Sequence, residues 1–367
     1  MASLIRAITE PLATAAMKSM KGKYGIVIAG CAMMACMSVA GPVRAQNAAP
    51  PLGEYLRTSI GLDAGQISDV QNGEAVVKLL HTDVGRDVTV FGIIGIHTTR
   101  DAYLAHLHDL QSLVAARAQR FGMIDDPVTA ADMQNVALDP SEWKDLKGCH
   151  VNDCDFKLSA SDMKQFAESV NWDGPDAEQQ ADSVMRSQME SLVTAYRTRG
   201  NAGMPRYDDT HGVQASDAFS ALLAQSSYMQ QYAPALRNYL ANFPAGRPDG
   251  AVDVMYWSVD KIPHLRPTFT LNQMVVYTPQ SGNPLIARKQ IYADHYFEAA
   301  LELATIYDAP ALNGGPGIYL VTVRRYRFDA LPGGLLNIRG RVRSQLQKLM
   351  KSDLERERRT VETAAAG

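Results

Sequence analysis

The stretch Cys149-His150-Val151-Asn152-Asp153-Cys154 holds the only two cysteines beyond residue 40, with a histidine beside the first. Thiol, imidazole and carboxylate are the donors of metal and redox sites, and their spacing separates the possibilities. Covalent haem attachment needs Cys-x-x-Cys followed by His, which this order does not supply. A redox pair uses the same two-residue gap beside a βαβ unit, and neither is present. Structural zinc takes four ligands; here there are three, two of them adjacent and poorly able to converge. A calcium loop alternates oxygen ligands around a central glycine, and Asn152-Asp153-Cys154-Asp155 does neither. The spacing favours a Cys149–Cys154 disulfide closed over the turn Val151-Asn152-Asp153. Ser159 then caps a helix, with Asp162 in a capping-box-like position. Two free thiols in the native protein would reopen the metal reading.

The histidines are the next chemical candidates. His106 and His108 are two apart on a predicted helix, so they do not share a face and cannot both serve one ion. His295 falls on an alternating run in which Ile291, Ala293, His295, Phe297 and Ala299 share one strand face. It is either a hydrogen-bonded core residue or a polar contact inside a cavity. The other face carries Arg288, Gln290, Tyr292, Asp294, Tyr296 and Glu298, across from Tyr319, Arg325 and Arg327. Opposite charges there can pair across strands. That face reads as a solvated sheet surface; the alternative is a polar rim guiding an anionic head group. Gly-x-Ser-x-Gly, His-Glu-x-x-His, a phosphate-cradling loop and a dinucleotide fingerprint are all missing. The sequence therefore nominates no catalytic residue, no metal site and no cofactor.

The N-terminus supplies a compartment. Lys18, Lys21 and Lys23 precede an apolar run over 24–40, followed by Gly41-Pro42-Val43-Arg44-Ala45. This is the pattern of a secretory signal cut after Ala45, and the run is short for a membrane span of about 20 residues. Ile28-Ala29-Gly30-Cys31 also resembles a lipobox, so lipidation at Cys31 is the alternative. Cleavage after Ala45 removes Arg6, Lys18, Lys21, Lys23, Arg44 and Glu10 and takes the formal net charge from −3 to −7. That balance argues against general nucleic-acid binding, which needs a basic surface. Export also places two lone thiols in oxidising surroundings.

These residues must be positioned by an α+β chain. Residues 46–73 form a lead with short helical pieces. Strands are expected over 74–81 and 87–97, a helix over 98–116, and a polar, loop-rich stretch over 117–174. Helices follow over 175–200 and 215–242, then strands over 252–261, 268–278, 285–308 (with a bend or as two strands) and 317–328. Leu335, Ile338, Val342, Leu346, Leu349 and Leu354 form the apolar stripe of a terminal helix over 335–357. Short connections imply antiparallel pairing, and the sheet's apolar face needs that helix as a cover.

The order of elements over 74–357 resembles the START-like helix-grip superfamily. The resemblance implies a curved antiparallel sheet gripping a long C-terminal helix, with a cavity between them. The segments ARKQIYADHYFEAALELATIYD and GIYLVTVRRYRFDALPGGLLNIRGRV also resemble those of uncharacterised secreted bacterial proteins. Residues 117–250 form an insert carrying the disulfide, and 358–367 a disordered tail. The implied function is binding of a hydrophobic small molecule or lipid, with Tyr256, Trp257, Tyr277, His295 and Phe297 as candidate cavity residues. Alternatives are an envelope interaction protein with a filled core, and a hydrolase or cyclase without a recognisable motif. From Arg324 to Arg359 eleven basic residues face four acids. Arg339, Arg343, Lys348 and Lys351 are thus candidates for contact with an anionic membrane.

Overall fold

A computed structural model describes residues 50–366, except 108, 116–117, 140–141, 261–264, 281, 313–314 and 331–337. The leader-like stretch 1–45 with its cleavage site and Cys31, together with His108 and Leu335, lies outside the described residues. The helices used below are α1 (Ala64–Gln71), α2 (Arg100–Leu107), α3 (Leu110–Ala115), α4 (Glu142–Lys147), α5 (Ala160–Ser169), α6 (Ala177–Arg199), α7 (Ala215–Ala224), α8 (Ser227–Tyr232), α9 (Pro234–Asn242) and α10 (Ile338–Ala366). The strands are β1 (Val76–Leu80), β2 (Asp87–Ile96), β3 (Arg120–Ile124), β4 (Arg206–Tyr207), β5 (Val213–Gln214), β6 (Val252–Asp260), β7 (Thr268–Tyr277), β8 (Leu285–Ala293), β9 (Phe297–Leu312) and β10 (Gly315–Phe328).

Eight strands pair antiparallel in the order β1-β2-β10-β9-β8-β7-β6-β3, and β4 and β5 form a separate ribbon. Two apolar cores lie against this sheet. On one side Val90, Ile94, Met274 and Ile306 share a core with Leu346, Met350 and Leu354 of α10, which lies across β1 and β2. On the other, Ile93, Leu271, Leu301 and Val321 belong to a core with Met189 and Tyr196 of α6 and Phe219 and Leu222 of α7. Every residue of β2 is buried, which explains its unbroken apolar run: a strand covered on both faces has no polar side to alternate with. Gly92 lets α10 close down on β2. A Cβ there would stand 2.8 Å from Leu354 and Met350 side-chain atoms.

Covering of both faces overturns one expectation. Arg288, Gln290, Tyr292, Asp294, Glu298, Arg325 and Arg327 do not form a solvated surface. All but Arg288 are buried, and Arg288 is ion-paired to buried Glu302. Two layers are responsible: the insert meets Tyr292, Asp294 and Arg325, whereas Arg288 and Gln290 lie on the α10 side. Nor does one alternation run from Ile291 to Ala299. Strand β8 ends at Ala293, and Tyr296 turns the chain with φ 59° before β9 begins. An irregularity in the β7–β8 register at Ile291 shifts the phase before the turn, so Ile291 faces the insert side and Ala293 and Phe297 the α10 side.

Smaller differences have local causes. The helix expected over 215–242 is three, and α9 opens with Pro234, whose missing N–H suits a first helical position and not an interior one. The stretch expected as one helix over 98–116 is α2 and α3. Strand β3 lies inside the loop-rich stretch and adds an edge to the sheet beside β6. The tail is not disordered: α10 continues to Ala366, with Val361 buried in the α10-side core.

Cys149 and Cys154 are joined by a disulfide. Its loop is a tight turn in which the His150 N–H donates to Asp153 O (3.2 Å) and the Asp153 N–H to His150 O (3.0 Å). Ser159 Oγ caps α5, accepting from the Asp162 N–H at 3.2 Å. Closing so short a loop constrains the unfolded chain by about 2 kcal/mol. The Cys149→Ser/Cys154→Ser variant is expected to lose about that much stability in urea unfolding while keeping its fold. A loss above about 5 kcal/mol would assign the bridge a larger role than loop closure.

Candidate functional site

Among the described residues, two places that bring chemistry-bearing side chains beside open space stand out. The first is a cleft of about 180 Å³ on the α10 side of the sheet. Its walls are apolar: Val114 of α3, Tyr256 of β6, Phe297 of β9 and Leu349 of α10. Its floor is polar because β6, β7 and β8 each turn an alternate residue toward it. Ser258 Oγ and Thr270 Oγ1 are 3.0 Å apart, Asn272 Nδ2 donates to Thr270 Oγ1 at 2.8 Å, and Ser258 Oγ donates to Asp260 Oδ2 at 3.1 Å.

A chain of charges closes the opposite end of the cleft. Arg288 pairs with Glu302, and Arg324 donates Nε–H to Glu302 Oε2 (2.5 Å) and Nη1–H to Asp353 Oδ2 (2.6 Å). Arg356 follows at 3.3 Å from Asp353 Oδ1. The carboxylates beside buried Arg324 outweigh the cost of its burial and hold its guanidinium firmly charged. Gln290, on β8 between these two polar groups, is 5 % exposed. Its Nε2 is buried without a hydrogen-bond partner.

The second place lies on the insert side, where a cavity of about 260 Å³ is bordered by Gln119, Arg120, Leu138, Glu142, Phe269 and Asp294. Beside it Glu142, Asp294 and His295 are all buried, and one ligand atom from each lies within 4.8 Å of the others. Glu142 is the first residue of α4, and its Oε2 accepts the Asp139 N–H at 2.5 Å. Asp294 Oδ1 accepts the Phe269 N–H at 3.0 Å. His295 Nδ1 is 2.9 Å from the Asp155 carbonyl oxygen, which can only accept, so Nδ1 carries the proton. Its Nε2 stands 3.5 Å from Glu142 Oε1. Burial pushes the Asp294 carboxyl up to about 8; nearby His295 opposes this and Glu142 adds to it. Burial of His295 opposes its protonation, but Glu142, Asp294 and the Asp155 carbonyl together raise its pKa.

The candidate cavity residues therefore separate. Tyr256 and Phe297 line the cleft. Trp257 lies on the opposite face, donating its indole N–H to Asp132 O at 2.9 Å, and Tyr277 belongs to that same insert-side core. His295 joins the acidic cluster. Sequence reasoning missed Glu142, which sits in a polar stretch with no motif around it. It read Asp294 and Gln290 as solvated. One signal was available: Arg324-Arg325 and Glu302 interrupt apolar strands, and charges so placed need partners such as Asp353 of α10.

Lys289 is a third candidate that the fold closes off. Its Nζ donates to Tyr196 Oη (2.9 Å) and to Asn201 Oδ1, and lies 4.1 Å from the centre of the Phe219 ring. Burial holds its pKa well below the usual lysine value, but neither cavity above reaches it. The basic run also divides. Arg324, Arg325 and Arg327 are buried, whereas Lys348 and Lys351 are exposed on α10 and Arg339 and Arg343 half-buried. Among the described residues no helix is long and apolar enough to cross a membrane.

No protein-family model matches the chain, and no curated protein matches it. The class stated by the fold is an α+β protein with a large antiparallel sheet, a long C-terminal helix and one disulfide.

Proposed function

We propose that the protein is an exported binding protein of START-like, helix-grip type, holding a small neutral molecule between the sheet and its terminal helix. The observation that carries this reading is Gln290. A buried amide N–H without a partner costs about 1–3 kcal/mol, and this one belongs to a residue lining the cleft. A ligand carbonyl or hydroxyl would satisfy it. Tyr256, Phe297 and Leu349 would take an apolar body. Arg288 and Arg324 of the cleft are already paired with carboxylates, and Arg325 donates to the Gln225 carbonyl, which disfavours a strongly charged ligand. Its volume of about 180 Å³ is below the roughly 300–1,000 Å³ of drug-sized pockets, so the occupant is a compact amphipathic molecule and not a two-chain lipid. The disulfide fits an oxidising compartment.

Gln290→Leu tests this directly. Removing an unpaired buried amide is expected to leave stability unchanged or raise it. Against a set of compact ring-and-carbonyl molecules, ligand-observed NMR should show binding to the wild type and at least a tenfold loss in Gln290→Leu. A variant that is destabilised by more than about 1 kcal/mol would mean that the amide is structural. Unchanged binding would remove the cleft as the site.

A further inference from the structure

We propose that Glu142, Asp294 and His295 form a site for a divalent transition-metal ion, facing the insert-side cavity and independent of the cleft. The first observation is charge. Two carboxyl groups are buried here, and among the described residues the only basic group within ion-pair distance of either is His295. Buried carboxylates are ordinarily matched by a cation or a metal. Arg120 lines the cavity, but it donates Nη2–H to Ala137 O at 3.1 Å.

The second observation is His295 itself. It is 3 % exposed, and its Nε2 has no hydrogen-bond partner although it points at Glu142. A charge-assisted hydrogen bond would bring the two atoms to about 2.7–2.9 Å; they stand 3.5 Å apart. Ligands at about 2.0–2.2 Å from one tetrahedral ion are separated by roughly 3.3–3.6 Å. The spacing therefore suits an ion between the two groups.

The outer contacts agree. Nδ1–H of His295 donates to the Asp155 carbonyl, which fixes the tautomer with Nε2 as the free lone pair, the usual arrangement of a metal-bound imidazole. Glu142 Oε2 is held by the Asp139 N–H and Asp294 Oδ1 by the Phe269 N–H, leaving the second oxygen of each for the ion. All three ligand atoms lie within 4.8 Å of one another. One imidazole and two carboxylates suit Zn²⁺ or Mn²⁺. Three protein ligands leave a position for water or substrate, and the cavity of about 260 Å³ bordered by Glu142 and Asp294 lies on that side.

The test uses the folded chain stripped with a chelator and titrated with Zn²⁺ alone, then Mn²⁺ alone. One equivalent of at least one of the two ions is expected to bind, with Kd of about 1 µM or tighter. Glu142→Gln should weaken it by about 100-fold or more. His150→Ala, a change at an exposed histidine, should leave it unaltered. No uptake of either ion at 100-fold excess over the protein, equal binding by Glu142→Gln, or loss of binding in His150→Ala would overturn the proposal. Since Glu142→Gln alters a buried residue, anomalous diffraction from Zn²⁺- or Mn²⁺-soaked wild-type crystals locates the ion without any variant. A peak among Glu142, Asp294 and His295 supports the site. Its absence, or a peak only elsewhere, sinks it.

Discussion

Arg324→Met is expected to cost about 3–5 kcal/mol of folding stability, because it strips the shared cation from two buried carboxylates. Arg324 bridges Glu302 on β9 and Asp353 on α10, and all three side chains are at most a tenth exposed. Arg288 and Arg356 stay beside those carboxylates, which places the expected loss nearer 3 than 5. Lysine should not rescue the variant. The guanidinium donates in two directions from one plane, and an ammonium on a flexible stem cannot reproduce that fork. The measurement is urea unfolding of wild type, Arg324→Met and Arg324→Lys. A change under 1 kcal/mol in the methionine variant would show that the network is not what fastens α10 over the cleft.

Gly200→Ala is expected to be at least as damaging, with a loss above about 3 kcal/mol or no folded protein. Gly200 ends α6 with φ 59° and ψ −136°, a conformation that side-chain-bearing residues rarely enter. A Cβ there would stand 1.6 Å from the Phe243 carbonyl oxygen, so neighbouring backbone must move. The next residue, Asn201, donates to the Leu240 and Ala241 carbonyls and accepts from Lys289, so movement at this junction also disturbs α9 and the sheet beneath it. Gly250→Ala supplies the contrast. It has φ 75° but nothing within 4 Å of the added carbon, and should cost only about 1–2 kcal/mol. Equal losses in thermal unfolding would mean that backbone conformation, and not the clash, sets the penalty at Gly200.

Much of the frame was legible in the sequence because its signals are local. The β1–β2 pair, β6, β7, β10, the long α6 and the stripe of α10 follow from periodicity and turn residues, and the Cys149–Cys154 spacing pointed to the bridge. What was not legible depends on contacts made across the chain. Nothing near Gln290 says that α10 will cover its face of the sheet, and nothing near Asp294 says that Glu142 of the insert will meet it. The turn at Asp294-His295-Tyr296 looks like continuing alternation until Tyr296 takes its left-handed conformation. Strand β3 is only five residues with a central glycine, and that glycine accommodates the Trp257 indole, which lies 2.4 Å from where a Cβ would be. The candidate sites fall in these non-local places. Glu142 and His295 are far apart in sequence, and the cleft is assembled from α3, α10 and five different strands.

The pairing of β2 with β10 has a consequence for how the chain reaches this state. Asp87 accepts two hydrogen bonds from Arg327, 240 residues later. The fully buried strand β2 is thus made some 240 residues before its partner. A loop that long must close before the β2–β10 pair forms, so the fold belongs with slow, high-contact-order topologies. During synthesis the apolar face of residues 87–96 waits for a sheet that does not yet exist, exposed to association with other chains. The pair β1–β2 and the run β6–β9 can each form locally, but they join into one sheet only once β10 has been made.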